Sequence, residues 1–129
     1  MSPGQRCRVL LVEDEAAVSM LIEGMLLDLG VEVVGPATTT DAAMALAQEA
    51  EIEAAVLDIN VRGIMSFPVA DVLRARGIPI IFTTGYQASA VPPQFQGTPL
   101  LQKPFTMTAF KAVLRAALVD APCELPESL

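Results

Sequence analysis

Four apolar runs in this 129-residue chain end on residues able to do chemistry. Residues 9–12 (VLLV) run into Glu13, Asp14 and Glu15, and residues 54–57 (AAVL) run into Asp58. Residues 79–84 end in Thr84 and Gly85, and residues 99–102 lead into Lys103-Pro104. Carboxylates crowded at one strand end disfavour one another's ionisation, so a cation belongs among them. Hard oxygen donors that leave room for water and phosphate oxygens suit Mg²⁺, with Mn²⁺ as a substitute. Glu15 is read apart from this set, as a first-turn helix residue that favours the dipole.

The elements that must carry these residues follow from periodicity. The VLLV run lacks solvent-facing alternation, as expected for a strand covered on both faces. After it, Val18, Leu21, Ile22, Met25, Leu26 and Leu29 recur at helical spacing and predict one buried face, stopped by Gly30. Residues 31–34 read as a strand ended by Gly35-Pro36. Thr38 to Thr40 then offer N-cap hydroxyls to a helix with Ala43, Leu46, Ala47 and Ala50 inward. Residues 54–57 form another strand, followed by the loop INVRGIMS and a helix from about Pro68 to Arg76. Residues 79–84 and 99–102 are the remaining strands, and 107–118 form a last helix with Phe110, Val113, Leu114, Ala117 and Leu118 in one stripe. Between those strands, the prolines and glycines of GYQASAVPPQFQGT permit only a short fourth helix and predict the most mobile part of the chain.

Five strands alternating with helices predict a flavodoxin-like, doubly wound α/β fold, a five-stranded parallel (β/α)5 sheet with helices on both faces. In such sheets the functional crevice lies beyond the carboxyl ends of the strands, where the residues named above fall.

Composition narrows the function. Hydrophobic residues make up 53% and charged residues 18%, which fits one globular domain. The formal net charge of −7 offers no basic footprint for nucleic acid and repels anionic lipid. No apolar run approaches the roughly 20 residues of a membrane span, and acids occupy the place of a signal-peptide core, so a cytoplasmic protein is expected. Cys7 and Cys123 show neither metal nor redox-motif spacing and are expected as two reduced thiols; both fall at the same end of the expected fold, which leaves a crosslink geometrically open. The terminal APCELPESL is expected to fray.

The ordered motifs VEDE, LDIN, TTGY and KPF resemble the receiver domain of bacterial two-component response regulators, from Arg8 to about Leu118. IPIIFTTGY followed by LLQKPF is similar to a stand-alone subgroup with an F-x-T-G-Y motif. The resemblance implies residues 1–7 as a lead, 8–118 as the receiver, and 119–129 as a tail without an output domain. It makes Asp58 the phosphoacceptor, with Lys103, Thr84 and Gly85 around the phosphoryl group. It assigns Mg²⁺ to Asp14, Asp58, the backbone carbonyl of Asn60 and, through water, Glu13. It implies a cis bond before Pro104. Receivers commonly place Tyr or Phe three residues before the lysine; Leu100 stands there, so Tyr86 or the segment 86–98 is expected to take over the switch. The implied partners are a histidine kinase or histidine phosphotransferase and a downstream protein, with no nucleic acid and no membrane. The chain is then a signalling protein, an enzyme only towards its own phosphoryl group.

Two rivals fit less well. A haloacid-dehalogenase-type phosphatase needs an acid two residues after its nucleophile, where this chain has Asn60. A flavin or nucleotide binder needs phosphate-cradling groups after the first strand, where Glu13 and Asp14 would repel phosphate. Arg62 and Met65 are read as ordinary loop surface. A pseudo-receiver that binds partners without phosphorylation remains the alternative within the family.

Overall fold

The computed structural model describes residues 5–85 and 91–129. In chain order the elements are β1 (Arg8–Val12), α1 (Ala16–Asp28), β2 (Glu32–Ala37), α2 (Thr40–Glu49), β3 (Ala54–Asp58), β4 (Asn60–Val61), β5 (Ile64–Met65), α3 (Phe67–Ala75), β6 (Ile80–Thr84), β7 (Leu100–Gln102) and α4 (Met107–Leu118). A 3₁₀ turn at Pro93–Phe95 is the only helical element described between β6 and β7. The main sheet is parallel throughout, in the order β2-β1-β3-β6-β7. This is the expected flavodoxin-like architecture.

The sheet separates two apolar cores. Leu10, Val12, Ala55, Leu57, Ile80 and Phe82 face α2 and α3, in a cluster that includes Ala43, Ala47, Val69 and Leu73. Val9, Leu11, Ala54, Val56 and Ile81 face α1 and α4, in a cluster with Ile22, Leu26, Phe110, Leu114 and Leu118. Strand side chains alternate between faces, so a central strand covered by helices on both sides must be apolar at every position. That is why β1 is apolar throughout after Arg8, and β3 throughout before Asp58.

Several expectations are corrected. β2 does not end at Gly35-Pro36 but passes through that cis peptide to Ala37, with its register to β1 shifting between Leu10 and Val12. An edge strand tolerates proline because the missing N–H is not needed for a second neighbour. Gly35 has φ +99°, and a Cβ there would lie 2.7 Å from the Ala37 amide nitrogen. In α1, Leu21 is exposed and Ser19 is buried, so the inward stripe is narrower than the leucines suggest. The INVRGIMS loop holds the antiparallel β4–β5 hairpin, closed by the Asn60 side-chain oxygen, which accepts from the Gly63 amide at 2.7 Å.

The segment expected to be most mobile is anchored in its described part. Phe95 is buried and packs against Phe82 and Phe67, with ring centroids 5.4 and 5.8 Å away. Arg74 lies 5.0 Å over the Phe95 ring and donates to the Gln94 carbonyl. The tail does not fray either. Glu124 donates its amide to the Gln5 carbonyl at 2.9 Å, and Leu129 is buried in the α1/α4 core. This return of the chain places the Cys7 and Cys123 Cα atoms 5.0 Å apart, and the two are joined as a disulfide rather than standing as reduced thiols.

Candidate functional site

At the carboxyl ends of β1, β3, β6 and β7 the expected residues meet. Lys103, directly after β7, reaches across the strand ends with its Nζ 2.9 Å from Glu13 Oε1 and 3.0 Å from Asp58 Oδ2. Glu13 is fully buried and its other oxygen accepts from the Glu15 amide at 3.0 Å. Asp58 ends β3 at 5% exposure and accepts from the Asn60 amide at 3.2 Å. The carboxylates of Glu13, Asp14 and Asp58 can bring one oxygen each to within 4.8 Å of one another.

The electrostatics follow from this packing. Burial pushes the Glu13 carboxyl above its ordinary range, only partly countered by hydrogen bonds from Lys103 and from the Glu15 amide. Burial lowers Lys103, but hydrogen bonds and charge from Glu13 and Asp58 outweigh it and raise the ammonium. One lysine thus serves two acids while Asp14 adds a third negative charge. Glu15 stands at the start of α1, mostly exposed, its carboxylate 4.0 Å from Lys103 at the rim.

Asp14 is fixed by a backbone group. The Arg62 amide donates to Asp14 Oδ2 at 2.9 Å, and Arg62 has φ 54°, an uncommon left-handed conformation for a residue with a Cβ. The β4–β5 hairpin therefore positions an acid of the cluster, a role not visible in the arginine side chain. The available sequence signal was the spacing of Asn60 and Gly63, which suits a side-chain-closed turn.

Thr84 is the last residue of β6, beside Lys103, whose amide donates to the Thr84 carbonyl at 2.7 Å. A Cβ added to Gly85 would meet nothing closer than Lys103 Cε at 3.9 Å, so the lysine stem runs past it. The Lys103-Pro104 peptide is cis. Leu100, 37% exposed, sits opposite Phe82 at the start of β7. Tyr86 lies outside the described residues.

The donor set fits a hard divalent cation: three carboxylates converge at a surface crevice, against one ammonium. The same strand ends bring the Asp58 carboxylate and the Lys103 ammonium to 3.0 Å of one another, with Thr84 ending the adjacent strand β6.

The profile of the response regulator receiver domain matches residues 9–115, and the chain belongs to that family. Among solved structures it is similar to SdrG from Sphingomonas melonis Fr1, 41% identical with a TM-score of 0.78, covering 88% of this chain and 97% of that one. A second structure, the BeF3-activated conformation of SdrG from Pseudomonas melonis Fr1, is 41% identical with a TM-score of 0.74 over 92% and 99% of the two chains. The receiver domain of the PhyR response regulator from Erythrobacter litoralis is 26% identical with a TM-score of 0.75, over 92% of this chain and 94% of that one. No curated protein sequence matches the chain.

Proposed function

We propose that this chain is a response regulator receiver that accepts a phosphoryl group on Asp58 from a phosphohistidine. The observation that carries the proposal is Lys103 bridging Glu13 and Asp58 at the strand ends, with Asp14 held beside them. An Asp58 carboxylate oxygen attacks phosphorus, the phosphorus–nitrogen bond of the donor breaks, and its electron pair leaves on the imidazole. Lys103 and the Thr84 hydroxyl then face the phosphoryl oxygens, and Gly85 leaves the space beside them open. Asp14, Asp58 and the Asn60 carbonyl, with Glu13 acting through water, would hold Mg²⁺ or Mn²⁺, which would neutralise charge on the incoming group. The hairpin's hold on Asp14 keeps that acid oriented before any cation arrives.

Output follows as a change in protein binding. The 41% identical relative solved in a BeF3-activated conformation supports a domain with distinct resting and active states. PhyR from Bartonella quintana, 28% identical and matched over 50% of its length, is named an anti-anti-sigma factor, which supports a regulatory protein as the downstream partner. The donor is then a histidine kinase or phosphotransferase. Activation shifts a two-state equilibrium of the β6–β7–α4 region, with Tyr86 or the segment around it replacing the aromatic switch that Leu100 does not provide.

The test is intact-mass analysis after incubation with acetyl phosphate or a phosphorylated histidine protein, with and without Mg²⁺. A single phosphate adduct that needs Mg²⁺ and is lost in Asp58→Asn is the expected result. No adduct from either donor would leave the phosphorylation-independent interaction module as the better reading.

A further inference from the structure

At the end of the molecule opposite the carboxylate crevice, Cys7 enters β1 and Cys123 lies in the segment that follows α4. Their disulfide is one of few ties on residues 119–129. Among the described residues the others include a single parallel bridge between Arg6 and Glu124, the burial of Leu129, the packing of Ala121 and Leu125 against the same core, and donation from Arg115 to the Leu129 carbonyl. Pro126 completes the seat over Gly30, where an added Cβ would lie 3.1 Å from the proline ring. The two sulfurs differ in access. Cys7 is 0% exposed, whereas Cys123 is only half-buried.

We propose that the Cys7–Cys123 pair is a redox-exchange site that takes a dithiol as its reductant and latches the C-terminal segment onto the entry of β1. A thiolate of the dithiol attacks Sγ of Cys123, the reachable sulfur. The Sγ–Sγ bond breaks, and its electron pair and then a proton go to Cys7. The second thiol of the reductant displaces Cys123 and leaves as a cyclic disulfide, so that two electrons pass to the protein and both cysteines end as thiols. Reduction removes the crosslink and leaves the eleven residues on the Arg6–Glu124 pairing, the Arg115 bond to the Leu129 carbonyl and the packing of Ala121, Leu125, Pro126 and Leu129, non-covalent contacts that chain entropy opposes. Leu129 then departs from the cluster it shares with Leu29, Val31 and Leu118, and that end of the α1/α4 core opens to solvent. The inference stands independently of whether Asp58 is phosphorylated.

The experiment is hydrogen exchange read by mass spectrometry on the full chain, oxidised and after dithiothreitol, with Cys123→Ser as a variant that cannot crosslink. Reduction should speed exchange of the amides of Glu124 and Leu129 about tenfold or more, reversibly, while β1 and β3 stay protected. Cys123→Ser should match the reduced protein with or without dithiothreitol, and brief alkylation of the reduced chain should label Cys123 before Cys7. Unchanged protection of the segment on reduction would overturn the proposal. So would opening of β3 together with the segment, because the bond would then be a staple of the whole fold rather than a latch.

Discussion

Replacing Lys103 with methionine keeps the length of the side chain and removes the one ammonium that touches both Glu13 and Asp58. Glu13 is fully enclosed and the lysine side chain is only 11% exposed, so water does not replace the lost partner. Breaking a buried pair by deleting one member costs roughly 3–5 kcal/mol. The lower end applies here, because Glu13 escapes part of the penalty by taking up a proton, towards which burial already drives it. A loss of about 3 kcal/mol in a domain of this size lowers Tm by about 10 °C. The sign with pH follows from the same groups. An acid whose folded pKa is raised binds more protons in the native state, so it favours folding increasingly as pH falls towards the ordinary value of 4.5. Without Lys103 that pKa rises further, and the deficit of the variant is largest near neutrality and narrows towards acid pH. At the alkaline end, the wild-type advantage is intact below 10.5 and fades as pH rises through the raised lysine pKa. Urea unfolding followed by circular dichroism without divalent ions, repeated at several pH values, measures both effects. A variant within about 0.5 kcal/mol of wild type at neutral pH, or a deficit that grows on acidification, would refute the reasoning.

Other substitutions probe the scaffold. Gly35→Ala forces a side chain into a left-handed backbone and to within 2.7 Å of the Ala37 nitrogen; a loss of about 2 kcal/mol or more is expected in the same assay, with β2 exchange accelerated most. Phe95→Ala empties the ring position between Phe67 and Phe82, so a loss of about 3 kcal/mol is expected, and a value near zero would mean that residues 91–98 do not anchor as described.

Much of this fold was legible because its central strands have no choice of residue. A strand covered on both sides reads as an unbroken apolar run, and β1 and β3 announce their own ends by the first acid that follows. The meeting of Asp14, Asp58 and Lys103 then follows from topology, since parallel strands bring all their carboxyl ends to one edge. What escaped has physical reasons too. The two-residue strands of the hairpin are too short for any period, and the contact that holds Asp14 uses an amide that every residue but proline carries. The phase of α1 was blurred because leucines lie on both of its sides, so periodicity favoured Leu21 over Ser19. Proline in the 91–98 segment and in the tail suggested looseness, whereas isolated contacts hold both, Phe95 in the one and the Cys7–Cys123 bond with Leu129 in the other. Side-chain burial at isolated positions leaves no periodic trace.

The crevice lies on the seam between the two cores. Val12 and Phe82 belong to the α2/α3 side, while the strand-end lysine is followed by Phe105, which stacks on Phe110 of the α1/α4 side at 5.5 Å. Asp58 therefore lies between the two cores, near Phe82 of β6 on one side and, through Lys103, near Phe105 on the other. Each half has its own surface helices, and the strands between them send alternate side chains into both. The domain is in this sense two-sided: a displacement at the strand ends has a packed route towards either helical face.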